Sequence, residues 1–133
     1  MKAQVLLSTA LVFATAHAIA QPSGLPEQAG SAIGYPTVED ALTALRTKPG
    51  NEVSVQSGWT VVSEPSARAT WSFVPPGHPA YPAVVRRRVI TRGAALLMET
   101  HVLCQASKAP CDRLVLEFRA MNGAVRDNSS RTP

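Results

Sequence analysis

The stretch whose reading decides the fold is AVVRRRVITRGAALLMETHVLC, residues 83–104. Two runs rich in β-branched and aliphatic residues, Ala83 to about Thr91 and Ala95 to about Leu103, flank Gly93. This pattern reads as a long β-hairpin. With Arg92 and Gly93 as the loop residues, Val89 falls opposite Leu96, Arg87 opposite Met98, Arg86 opposite Glu99 and Val85 opposite Thr100. Side chains alternate across a strand, so Val85 and Val89 share a face with Leu96, Met98, Val102 and Cys104. That side is the expected core. Arg86 and Arg88 point the other way, beside Glu99 and His101, on a face that also shows Ile90 and Leu97.

Working outward, the residues before the hairpin read VPPGHPAYP, with four prolines between Pro75 and Pro82. Proline fixes φ and has no N–H to donate, so this segment is expected to form a stiff crossover outside the ladder. Further upstream, Ala69, Trp71 and Phe73 alternate with Thr70, Ser72 and Val74, a strand with an aromatic face. Two short β-rich runs, Glu52–Gln56 and Trp59–Ser63, flank a Ser57-Gly58 turn. Before them lies PTVEDALTALRTKPG, residues 36–50. Thr37 caps a helix start, Asp40 takes the capping-box position, and Glu39 with Asp40 suits the positive end of the helix dipole. Val38, Ala41, Leu42 and Leu45 recur at helical spacing, and Pro49-Gly50 stops the helix.

After the hairpin, KAPCDRLVLEFRAMN places Cys111, Leu114, Val115, Phe118 and Met121 on one helical face, with Pro110 in the first turn. The expected fold is α+β: an antiparallel sheet of four strands, five if the run around Val53 pairs. An N-terminal and a C-terminal helix pack on one face, in the order α-β-β-β-β-α.

The chain begins MKAQVLLSTALVFATAHAIAQ, where a lysine precedes an apolar run and Ala18 and Ala20 stand in A-x-A spacing. This reads as a signal peptide over 1–20, cleaved after Ala20, with no stable membrane insertion afterwards because the apolar run is too short to span a bilayer. Residues 21–35 read as a flexible leader, 36–122 as one domain and 123–133 as a flexible tail. Export places the chain in a periplasmic or secreted location. There, Cys104 and Cys111, the two cysteines of the chain, are expected to form a disulfide. Two thiols and scattered histidines supply too few ligands for a zinc centre, and no metal or cofactor is expected.

Lys and Arg number 13 against 9 acidic residues, a net charge of +4. Loss of Lys2 with the signal peptide lowers that to +3, too mild for a dedicated nucleic-acid binder. No G-x-S-x-G elbow, P-loop or H-E-x-x-H occurs. Glu64 and Glu99 can share a sheet face, but their spacing does not favour catalysis over ordinary ion pairing. A hydrolase using them or His101 is therefore the least favoured class. The candidate binding residues are Arg86, Arg88, Arg92 and His101 on the sheet and His78 and Tyr81 in the proline segment. Arg87 is directed to the core side, where it must reach the rim, meet a carboxylate or adjoin a bulge. The favoured class is a non-enzymatic binding protein of the cell envelope whose partner is another envelope protein or an anionic envelope component. The alternative is an envelope stress protein that holds unfolded chains.

The segments GWTVV (58–62), ATWSFVPPGHPAYPAVVRR (69–87) and LCQASKAPCDRLVLEFRAMN (103–122) together resemble a group of small exported proteobacterial proteins that often carry a molecular chaperone DnaJ label. The label is misleading for this chain. A J domain needs His-Pro-Asp between helices, whereas Ala80 follows His78-Pro79 and the flanks read as strands. The resemblance implies a bacterial source and an envelope location, and it assigns no functional residue.

Overall fold

In the computed structural model, residues 33–129 are described, with side chains to residue 123. The expected signal peptide and most of the expected leader lie outside them. The elements run α1 (Val38–Thr47), β1 (Glu52–Gln56), β2 (Trp59–Glu64), a 3-10 turn (Pro65–Ala67), β3 (Ala69–Phe73), β4 (Ala83–Arg92), β5 (Ala95–Cys104) and α2 (Lys108–Ser129). The strands form one antiparallel meander in the order β1-β2-β3-β4-β5. The α+β class holds, and the run around Val53 makes the fifth strand.

Local chemistry explains most boundaries. Thr37 accepts a hydrogen bond from the Asp40 N–H at 3.1 Å, and its hydroxyl donates to Asp40 Oδ2 at 2.6 Å. The Val38 N–H at the start of α1 is taken by Gln105 Oε1 at 2.9 Å, which ties α1 to the end of β5. Between β1 and β2, Ser57 and Gly58 both have positive φ, as a type I′ hairpin turn requires.

The long hairpin forms with its loop one residue later than the sequence reading placed it. Arg92 pairs with Ala95, so Gly93 and Ala94 form the loop, and Arg88 lies opposite Glu99 and Arg86 opposite His101. Gly93 takes a φ of +60°, which suits the first position of a type II′ turn. Each opposed residue shifts by two from the expected pairing. A shift of two preserves the faces, so the split of the arginine run survives.

The helix placement does not. Val38, Ala41 and Leu45 of α1 cluster with Val62, Trp71, Phe73 and Val84, while Leu114 and Phe118 of α2 cluster with Val74, Ala80, Ala83 and Val85. Val84 and Val85 are neighbours on β4 and point to opposite sides. The helices therefore cover opposite faces of the sheet, and the molecule is a three-layer α/β/α arrangement. The sequence reading put both helices on one face because it treated the hairpin as one-sided. Ala83-Val84-Val85 is instead a continuous apolar run, the pattern of a strand buried on both faces.

Two boundaries also move. Ile33 is buried and Tyr35 packs on Trp71 at a ring-centroid distance of 5.8 Å, so the end of the expected leader belongs to the core. At the other end α2 continues to Ser129, past Asn122 where its apolar period ends. The Cys104–Cys111 disulfide is formed and fixes the start of α2 beside the end of β5.

Candidate functional site

Alternation along β4 sends Arg86, Arg88 and Arg92 to the α1 side of the sheet. Their fates differ. The Arg86 guanidinium lies over the Trp71 ring, 5.4 Å from its centre. Burial and the neighbouring Arg88 charge weaken its hold on its proton. Arg88 Nε donates to Glu99 Oε2, and His101 Nε2 lies 3.3 Å from the same oxygen. The Arg88 bond holds the Glu99 carboxyl below its ordinary value. Arg86, Arg88 and His101 are thus brought together, but around a carboxylate of their own chain. Arg92 stands apart and exposed at the end of the hairpin, with no ion pair among the described residues.

Arg87 emerges on the α2 side, as its position requires, and among the described residues it meets neither a carboxylate nor a bulge. It lies across the Phe118 ring at 5.4 Å and donates to Met121 Sδ at 3.4 Å. Burial lowers its pKa from the ordinary arginine value.

The two carboxylates considered for catalysis share the α1 face but serve separate partners. Glu64 is 5 % exposed. It pairs with Lys48 at the end of α1 and accepts from Trp71 Nε1 at 2.7 Å. Burial alone would push its carboxyl up. The Lys48 and Trp71 hydrogen bonds, with the charges of Lys48 and Arg86, outweigh this and hold it below the ordinary carboxylate value. Glu64 locks α1 to the sheet.

The proline loop, residues 75–82, is fastened by its own backbone: the His78 N–H donates to Pro75 O at 3.2 Å and the Tyr81 N–H to His78 O at 2.9 Å. His78 Nδ1 accepts from the Ala80 N–H at 3.1 Å, and its ring meets Trp59 edge-on at 5.5 Å. Because Nδ1 is an acceptor here, a neutral His78 carries its proton on Nε2. His78 belongs to the α2 side, where Trp59 also touches Phe118. Tyr81 faces elsewhere. It is 48 % exposed and stands at the rim of a groove of about 670 Å³ between α1 and the loop.

Tyr81 is the candidate residue that lines this groove. Phe73, Val74, Pro75 and Pro82 contribute apolar wall, Leu42 supplies the α1 wall, and Glu39 and Arg46 bring opposite charges to it. The six sequence candidates therefore divide into an arginine–histidine cluster, a hairpin-tip arginine, a structural histidine and a groove-rim tyrosine. Sequence reading missed the contribution of α1. Leu42 lies within its apolar period and was assigned to the core, and Glu39 was read only as a dipole partner. Among the described residues no group of three or more His, Cys, Asp or Glu side chains is arranged to hold a metal ion. No helix among them is long and apolar enough to cross a membrane.

Comparison with protein-family models, with curated proteins and with solved structures returns no match.

Proposed function

We propose that the protein is a non-enzymatic binding protein of the bacterial cell envelope, exported through its N-terminal segment. It holds a short extended stretch of another envelope protein in the groove between α1 and the proline loop. The observation that carries this reading is Tyr81: a large amphipathic ring left half in water, on a loop braced by its own hydrogen bonds, beside apolar wall. Ligand sites favour such a combination of apolar surface with a few placed polar groups, and tyrosine gives contact area at small entropic cost. The disulfide supports an oxidising compartment, and the resemblance to exported proteobacterial proteins supports the same location.

This reading takes the emphasis away from the arginine stripe, because Arg86 and Arg88 are occupied by Trp71 and Glu99. A photo-crosslinking amino acid in place of Tyr81, in cells that produce the protein, is expected to give a discrete protein adduct. Leu42→Arg should remove the adduct and Arg88→Gln should leave it. An adduct that disappears with Arg88→Gln and survives Leu42→Arg would move the site to the sheet face. Export has its own check, since the protein recovered from the periplasm or medium should begin at Gln21.

A further inference from the structure

We infer that the free edge of β5 is a self-association surface, on which a second copy of this chain pairs antiparallel about Leu97 to continue the sheet across a two-fold axis. This does not depend on the proposed groove.

β5 closes one side of the sheet, and no further strand among the described residues pairs with its outer edge. β3 stops at Ala69, opposite Arg88, whereas the β4–β5 ladder continues four pairs further, from Val89↔Met98 to Arg92↔Ala95. The hairpin end is thus a two-stranded arm beyond the rest of the sheet. Leu96 is 70 % exposed there and Met98 44 % exposed. Exposed sheet edges are usually blunted by proline, lysine, a bulge or short length. The ten residues of β5, ALLMETHVLC, contain no proline or lysine, and their pairing with β4 is continuous.

The residues flanking a two-residue hairpin loop exchange both hydrogen bonds, and the pattern then alternates. Counting from Arg92↔Ala95, the N–H and C=O groups of Leu96, Met98, Thr100 and Val102 are directed to the free edge. A two-fold axis at Leu97 sets Leu96 against Met98 of the second copy as a hydrogen-bonded pair and Leu97 against its own equivalent. It also sets Glu99 against the second copy's Ala95. Beyond that small side chain, one strand further, lies the second copy's Arg92. Neighbouring strands are about 4.8 Å apart, so the Glu99 and Arg92 backbones are about 10 Å apart, within reach of side chains that meet over an alanine. Both intramolecular contacts of Glu99 fall on Oε2, which leaves Oε1 for this cation. The charges are complementary twice over, once on each side of the axis. Moving the axis to Met98 would put Leu97 against Glu99. Moving it to Leu96 would put Met98 against Ala94 and Glu99 against Gly93, with no cation beyond.

The test is sedimentation velocity of the intact purified protein over a range of concentrations, together with variants that carry one cysteine beyond the Cys104–Cys111 pair, run on non-reducing gels. The protein is expected to sediment as a dimer of the 14.1 kDa chain, less the signal peptide when processed. Arg92→Glu, at a residue with no ion pair among the described residues, should weaken the dimer, and Arg92→Glu/Glu99→Arg should restore it. In a non-hydrogen-bonded antiparallel pair the Cα atoms lie about 4.5 Å apart, inside the disulfide range. Leu97→Cys should therefore cross-link two copies on oxidation, and Val55→Cys on the opposite edge should not. A wild-type protein that sediments as a monomer at every concentration overturns the inference. So does a dimer that cross-links through Val55→Cys instead, or one indifferent to both charge variants.

Discussion

Residues that look alike in the sequence do different work once their neighbours are fixed. Glu64 and Glu99 are both on strands and both face α1, yet Glu64 is enclosed with an indole N–H and a lysine, while Glu99 sits in a half-open cluster. Trp71→Phe should cost about 1–3 kcal/mol, the usual penalty for leaving a buried acceptor short of a partner. Arg88→Ala, at a solvent-facing pair, should cost about 1 kcal/mol or less. Urea denaturation measures both. The Glu64 carboxyl is held below its unfolded value of about 4.3, so its contribution is complete above that pH and is lost as pH falls through the folded value. The stability gap between wild type and Glu64→Gln should accordingly be widest near neutrality and close on acidification below about pH 4. A gap that stays constant into acid would contradict the depressed carboxyl. Arg87 invites the opposite substitution. Its charge is partly buried with no carboxylate among the described residues, and its guanidinium lies over Phe118. Arg87→Met keeps the packing and removes the desolvated charge, so thermal unfolding should show it neutral or slightly stabilised.

At the scale of elements, legibility followed the range of the interaction. The Thr37 cap and the Ser57-Gly58 turn depend on contacts within a few residues, and both were readable. The loop at Gly93 was misplaced by one residue, because its glycine suits either of two loop positions and the alternation of Arg86, Arg87 and Arg88 is identical in both registers. Gln105 gave no signal: a glutamine inside a disulfide loop has no reason, in sequence terms, to cap a helix 67 positions earlier. The groove was illegible for the same reason, since it forms only when α1 lies beside a loop that follows β3. Two predictions belong at this scale. Gln105→Ala should lower stability by about 1 kcal/mol through the uncapped N–H of α1. Reduction of Cys104–Cys111 should lower it by roughly 2–3 kcal/mol on the loop-entropy estimate. Denaturation with and without reductant separates the two, because only the wild-type and Gln105→Ala proteins, and not a Cys104→Ser/Cys111→Ser variant, should respond to the reductant.

For the whole molecule, the decisive error was the side on which the second helix packs, and its cause is instructive. One helix on each face requires a central strand that is apolar at consecutive positions, and Val84-Val85 meets that condition. Amphipathic reasoning applied to the long hairpin alone favoured a single inner face, because Val85, Val89, Leu96 and Met98 fall on one side of it in either register. The same strand therefore passes from a two-sided interior near Ala83 to an exposed arm near Arg92.

The sharing of β4 between two cores has a further consequence for how the molecule opens. Leu45 and Leu114 lie on opposite sides of the sheet and in separate clusters, so either helix can lift away without disturbing the apolar contacts of the other. The amide protons of Val84 and Val85 are released only when the sheet itself comes apart. In deuterated water they should be the last to exchange, at the rate of global unfolding, while amides in α1 and α2 exchange through smaller and independent excursions.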